Sequence, residues 1–231
     1  MLRRFALPLF AVLLLGLLAA CGENGDNGAG ETPGGETPDA ETPTSAGEET
    51  PLMPFAEACQ KSDEKQFSGP EQVIDTSKTY VATIKTAHGD IVIELFSDTP
   101  ITTNNFVFLA CKGFYDGVTF HRVLTDFVAQ GGDPTGSGSG GPGYAIPDED
   151  DGDHTFDDAG VISMAKAGPN TTGSQFFITY APQSHLEPDF TVFGRVTEGM
   201  EVAQQITPRD PRQDPNAPPG DVIETITIEE R

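Results

Sequence analysis

Thr79-Tyr80-Val81-Ala82-Thr83-Ile84-Lys85 and Asp90-Ile91-Val92-Ile93-Glu94-Leu95-Phe96, with a turn at His88-Gly89-Asp90 between them, open the folded part of this 231-residue chain. Both runs alternate apolar with polar residues and are rich in β-branched side chains, the pattern of a half-buried hairpin. Six further strands are expected downstream, at Val118–Val123, Phe127–Gly131, Val161–Ala165, Phe176–Thr179, Thr191–Val196 and Val222–Glu229. Only two helices interrupt them. One is expected to be capped by Thr102 or Thr103 and to run through Lys112 to a stop at Gly113, with Phe106, Leu109 and Ala110 on one face. The other runs from Gly199 to Ile206 and ends before Pro208. Many short strands with two helices favour an all-β fold, a closed eight-stranded antiparallel β-barrel with two capping helices, over a doubly wound α/β sheet. A barrel of this size fills its interior with side chains, so a ligand has to bind on the outer face.

Upstream of the hairpin the chain changes character twice. Residues 1–20 carry Arg3 and Arg4 and then an apolar run from Phe5 to Ala20, too short for a comfortable membrane span, which reads as a signal peptide. Leu18-Ala19-Ala20-Cys21 resembles the lipobox of bacterial lipoproteins, which implies cleavage before Cys21 and a diacylglycerol on its sulfur. Residues 21–53 repeat Glu-Thr-Pro at Glu31, Glu36, Glu41 and Glu49 and hold almost nothing large and apolar. Such a segment cannot offset its ordering entropy by burial and is read as a flexible acidic tether. The folded domain is then 54–231, a length that suits a single core.

The chain has 36 acidic and 13 basic residues, a net charge of −23; removing Arg3 and Arg4 with the leader leaves 36 against 11, or −25. That balance excludes nucleic acid as a partner and adhesion to anionic lipid by charge alone. The densest acidic cluster, Asp148, Glu149, Asp150, Asp151, Asp153, Asp157 and Asp158, lacks a glycine where a calcium loop needs its turn, and is read as a solvated loop. The four histidines are scattered and make no zinc site, so neither metal nor cofactor is expected. Gly136, Gly138 and Gly141 match a dinucleotide-loop pattern, but Pro142 and Pro147 follow where a helix should begin, so the stretch is taken as a flexible turn. With Cys21 lipidated, Cys59 and Cys111 remain as an even pair in an oxidising compartment; a disulfide and two separate buried thiols both satisfy that count.

The strings Asn105-Phe106, Phe114-Tyr115-Asp116-Gly117, Phe120-His121-Arg122, Gln130-Gly131-Gly132-Asp133, Gly168 to Phe177 and Phe193-Gly194-Arg195-Val196 resemble, together, the cyclophilin family of peptidyl-prolyl cis-trans isomerases. The resemblance covers Lys78 to Glu229 and implies an eight-stranded barrel capped by two helices. It implies Arg122 as the catalytic donor and Gln130 as the group that orients it, and Phe120 as a supporting wall among the substrate-binding residues. Phe127, Val128, Phe177 and Leu186, with Phe190 alongside, match the apolar pocket for the proline ring. Ala165, Lys166 and Ala167 would hold the substrate main chain, and Gln175 would add a polar contact. Departures from the family pattern are His185 at the rim in place of tryptophan, Lys166 in place of asparagine, Val128 in place of methionine and Phe190 in place of histidine. Weak cyclosporin binding follows, and a monomer acting on proline-containing segments of exported proteins is expected. His121 is expected to face away from Arg122 and to be structural.

The reaction itself explains why an arginine suffices. Rotation about an X–Pro amide passes through a twisted state in which nitrogen regains its lone pair, and the uncatalysed barrier of about 18–20 kcal/mol makes it take tens to hundreds of seconds. A permanently protonated, rigid donor aimed at that nitrogen favours the twisted state over the planar one. No nucleophile or proton shuttle is needed. A non-catalytic peptide holdase or envelope scaffold using the same groove is the alternative reading; it would have no use for such a donor.

Overall fold

The structure, a computed structural model, describes residues 54–149 and 154–231; the apolar leader, Cys21, the Glu-Thr-Pro tract and Asp150, Asp151 and Asp153 lie outside the described residues. The opening hairpin forms as expected. β1 (Tyr80–Thr86) and β2 (Gly89–Leu95) pair antiparallel from Tyr80↔Leu95 to Thr86↔Gly89, which leaves only Ala87 and His88 as the connection. After them come β3 (Arg122–Val123), β4 (Val128–Gly131), β5 (Val161–Met164), β6 (Phe176–Thr179), β7 (Val192–Glu198) and β8 (Ile223–Glu230). All eight join one curled antiparallel sheet in the order β3-β4-β6-β5-β7-β2-β1-β8. Among the described residues β3 and β8 do not pair along a ladder. The connection between the two ends is made by Thr119, which bridges to both Asp133 and Val222, and by bonds from Gly117 and Phe120 to the carbonyls of Ile223 and Asp221.

The pleat sorts apolar residues into two cores. Ala129, Ile162, Phe176, Ile178 and Phe193 point into the main core with Ile84, Ile91, Ile93 and Ile226. Their immediate neighbours Val128, Val161, Phe177 and Val192 point the other way and form a second apolar cluster with Phe156. Successive residues on a strand face opposite sides, so a run such as Phe176-Phe177-Ile178 can feed both.

α2 (Pro100–Cys111) differs from its expected form at both its start and its surroundings. Its N-cap is Thr99, with Pro100 at the first helical position, and Thr102 and Thr103 lie inside the helix, both buried. Pro100 is tolerated there because the first-turn amides have no helical partner anyway. The Glu149 carboxylate instead accepts from the amides of Ile101 and Thr102 at 3.1 and 2.7 Å, a charge well placed at a helix N-terminus. Every residue from Thr102 to Cys111 is buried, so the helix has no polar outer face. The cover comes from the segment before β1: Asn104 accepts from the amides of Val73 and Ile74 and donates to Glu71, and Ala58, Val73 and Ile74 join the main core. That segment begins with a short helix, α1 (Phe55–Ala58), and a disulfide joins Cys59 to Cys111. The second expected helix is shorter than its pattern suggested, spanning only Met200–Ala203 (α3) behind Gly199.

The acidic stretch is not a uniformly solvated loop. Asp148 accepts from Lys166 at 2.8 Å, from the Asn170 amide at 2.7 Å and from Thr172 at 3.0 Å, and Glu149 is the α2 cap described above. Asp158 pairs with Arg195 at 3.2 Å on the surface.

Candidate active site

Register places the site. Arg122 lies opposite Gln130 across β3 and β4, and Gln130 lies opposite Phe177 across β4 and β6. Directly opposed residues of an antiparallel sheet share a face, so these three side chains stand in one row on the side away from the main core. Val128, two residues before Gln130, shares that face. So the second apolar cluster is the wall of a site: Val128 and Phe177 form its floor, and partly buried Phe127, Ala165, Leu186 and Phe190 surround them. Phe190 meets Phe177 edge-on at 5.7 Å, and exposed His185, on a single 3-10 turn over Ser184–Leu186, stacks on Phe127 at 5.8 Å.

Arg122 stands at the mouth of this pocket with its guanidinium 5.7 Å from the centre of the Phe127 ring. Among the described residues it has no carboxylate or carbonyl partner, and its Nε is buried without a hydrogen bond. Burial, and then the nearby charge of Arg212, push its pKa down from the ordinary value; a guanidinium stays protonated through the physiological range regardless. A buried donor atom without a hydrogen bond is costly for folding, so the unsatisfied Nε of this half-buried arginine points to a ligand. Gln130, directly opposite Arg122, makes no hydrogen bond to the guanidinium that would orient it. Its Nε2 donates to Gln175 Oε1 at 3.0 Å, and Gln175 Nε2 donates onward to the Gly140 carbonyl at 2.9 Å.

That amide relay leads into a groove of ≈ 830 Å³ lined by Gln130, Gln175, Ala165, Lys166 and Ala167 on one side and by Gly138 to Ala145 on the other. The amides of Ala165 and Ala167 are taken by the Gln175 carbonyl at 2.8 Å and the Thr171 hydroxyl at 3.0 Å, which fixes this stretch of backbone along the groove. Lys166 is bonded to Asp148 and lies 5.9 Å from the Phe190 ring, which joins the groove to the pocket. The opposite wall is not the flexible glycine turn that its sequence suggests. Asp133, fully buried, accepts from the amides of Thr135, Gly138 and Gly140 at 2.7, 2.6 and 3.0 Å and from the Thr135 hydroxyl at 2.8 Å. A Cβ at Gly140 would sit 2.1 Å from the Asp133 carboxylate, so this turn needs glycine.

Thus Arg122, Gln130, Phe127, Val128, Ala165, Lys166, Ala167, Gln175, Phe177, His185, Leu186 and Phe190 converge on one surface. Phe120 does not. It is 0 % exposed in the main core, 6.2 Å from the Phe176 ring, and presents nothing to a peptide. β3 is only two residues long, so alternation does not extend back from Arg122 to Phe120, and the chain turns that ring inward. His121 is 2 % exposed beside Gly138, its ring nitrogens are unpartnered, and burial lowers its pKa, as suits a neutral structural imidazole. Residues missed by sequence reasoning include Arg212, from the long loop before β8, and Gln66, from the segment before β1; neither carries a local signal. Asn105 did carry one: fully buried, it accepts from Tyr144 at 2.6 Å and donates to Gly173 at 2.8 Å, tying α2 to both sides of the groove.

Among the described residues no three His, Cys, Asp or Glu side chains gather to hold a metal. Residues 81–228 match the family model described as cyclophilin type peptidyl-prolyl cis-trans isomerase. The chain is 48 % identical over 140 residues to peptidyl-prolyl cis-trans isomerase B of Bacillus subtilis, covering 60 % of this chain and 90 % of that protein. It is 45 % identical over 157 residues to a peptidyl-prolyl cis-trans isomerase of Helicobacter pylori, covering 67 % and 90 % respectively. Among solved structures, a cyclophilin type isomerase of Cryptosporidium parvum determined in the presence of the dipeptide Ala-Pro superposes with a TM-score of 0.60 at 36 % identity, over 65 % of this chain and 99 % of that one.

Proposed function

Because this chain belongs to the cyclophilin-type peptidyl-prolyl cis-trans isomerase family, we infer that its isomerase activity runs on the Arg122 face, with Arg122 donating to the prolyl nitrogen as the amide twists. The observation that carries this is the Arg122 guanidinium at the mouth of an apolar pocket, its Nε without a hydrogen bond among the described residues. The proline ring enters between Phe127, Val128, Phe177, Leu186 and Phe190, where burial of its methylenes contributes about 0.8 kcal/mol each. Seating the ring fixes the nitrogen while the chain before it is free to rotate. In the planar amide the nitrogen lone pair is delocalised and accepts poorly; in the twisted state it is localised, so the donor's attraction rises as the barrier is climbed. The low-dielectric wall of Phe127 strengthens that attraction. Gln130, locked by Gln175, supplies a fixed polar rim beside the arginine. No group has to change protonation state.

Arg122→Ala should reduce kcat/KM on a proline peptide by about 10²–10³-fold, the usual loss for one preorganised donor, with the fold intact by circular dichroism. A rate equal to wild type would overturn the assignment.

The substrates we propose are proline-containing segments of exported proteins, met by a monomer that needs no cofactor and assists their folding. Export with a lipid on Cys21 is supported by the leader and lipobox pattern, and the Cys59–Cys111 disulfide suits an oxidising compartment. His185 at the rim in place of an indole favours weak cyclosporin binding.

A further inference from the structure

The segment between α1 and β1 lies outside the residues matched by the family model, 81–228. It is anchored at several points on α2 and the turn that follows. Cys59 is bonded to Cys111; Lys65 Nζ donates to the carbonyls of Gly113 and Phe114 at 2.9 and 2.6 Å; and the Phe67 ring packs 5.3 Å from Phe108 and 6.4 Å from Phe114. From these anchors it reaches the groove. Gln66 Nε2 donates to the Gly141 carbonyl at 2.9 Å, and the Phe67 amide donates to the Pro142 carbonyl at 2.7 Å. Gly143 has φ +96°, and a Cβ there would stand 2.9 Å from Gln66 Oε1 and 3.0 Å from the Phe67 carbonyl, so the approach is close enough to require glycine. Gln66 also lines the groove itself, together with Gln130 and Gln175.

The groove wall is therefore held in two halves by different parts of the chain. Asp133 fixes residues 135–140, and the strap of residues 59–69 fixes residues 141–143. We propose that this strap is a specificity-determining element of the isomerase, in which Gln66 positions the Gly141–Gly143 wall and so sets which side chains flanking the proline the groove accepts. The proposal rests on the Arg122 face being the isomerase site. A peptide whose ring lies against Phe127 and Phe177 continues past Gln130 and Gln175 into this groove, so its flanking side chains meet that wall while the prolyl bond does not. Gln66 is thus a positioning residue, and its influence falls on binding of flanking residues rather than on the rotation step.

The test uses the full chain and a series of X–Pro peptides with Gly, Gln or Leu at the flanking positions, read by protease-free NMR exchange. Gln66→Ala should raise KM for the Gln and Leu peptides relative to the Gly peptide by about 3- to 10-fold, the range for one hydrogen bond, with kcat for each peptide at its wild-type value. Gln66→Glu, of equal size but at neutral pH an acceptor facing the Gly141 carbonyl, should do at least as much. Gln66→Lys, which keeps a donor, should restore the wild-type ratio. Unchanged KM ratios in the Ala and Glu variants, or a kcat loss common to all peptides, would overturn the proposal. Arg122→Ala, run alongside, should lower kcat on every peptide alike. If it does not, the isomerase site lies elsewhere and the strap proposal falls with it, whereas a normal Arg122→Ala loss with flat Gln66 variants sinks the strap alone.

Discussion

At the scale of single residues, Asp133 does more for the site than its place outside the pocket suggests. Burial alone would push its carboxyl up, but the amides of Gly140, Thr135 and Gly138 and the Thr135 hydroxyl outweigh that and bring its pKa to about 2. An unfolded aspartate titrates near 3.9, so between about pH 4 and about pH 2 the unfolded chain binds more protons than the folded one. The stabilisation from Asp133 is complete above that window and is lost as the pH falls through it. A plot of urea midpoint against pH should show this acid limb, and Asp133→Asn should flatten it while lowering stability at pH 7 by about 1.5–3 kcal/mol, the range for hydrogen bonds to a charged group. Equal acid limbs in the two proteins would show that the carboxylate is not what holds the 135–140 turn. Asp133 was legible in the sequence only as part of Gln130-Gly131-Gly132-Asp133; its role was not, because a buried acceptor is recognised by the donors that converge on it, and those come from a loop that folds back. Phe120 makes the same point in reverse: the family resemblance implied a supporting wall, and the ring lies in the main core beside a two-residue strand.

At the scale of elements, the pleat explains why the sequence could be read so far. Alternation along β4, β5, β6 and β7 assigns each apolar residue to one of two faces, and the outer set is the pocket. The helix was harder. α2 has buried residues all round, so its pattern carries no apolar stripe, and the cover that buries its outer side comes from a segment 30 or so residues upstream. That cover is fastened by the Cys59–Cys111 bond, which closes a loop with a sequence separation of 52. Loop-closure entropy for that length stabilises the fold by about 4 kcal/mol in the chain-entropy model, and measured effects for native disulfides run at about 2–5 kcal/mol. The Cys59→Ser, Cys111→Ser double variant should lose an amount in this range by chemical denaturation. A loss below about 0.5 kcal/mol would mean that the strap is held by Lys65 and Phe67 without the covalent bond.

At the scale of the whole molecule, a chain of net charge −23 divides into an acidic domain and, before it, a leader and a Glu-Thr-Pro tract that together occupy residues 1–53. If Cys21 is the attachment point, the full-length protein should partition with membranes and detergent, and Cys21→Ser should release it to the aqueous phase with its isomerase rate intact. A wild-type chain found wholly in the aqueous phase would remove the lipid anchor from the account. What the sequence by itself determined is whatever depends on local periodicity and on short strings: eight strands, the opening hairpin, the convergence of Arg122 with Gln130, Phe127 and Phe177, and the family. Those are legible because a strand's faces alternate with a fixed period and register carries that alternation across the sheet. What only the tertiary structure decided is whatever depends on distant segments meeting: Thr119 bridging to Val222, Glu149 capping α2, Asn104 receiving the amides of Val73 and Ile74, and Gln66 reaching the groove. Each of these is a polar group satisfied from far away in the chain, and no local pattern records where a buried donor or acceptor will find its partner.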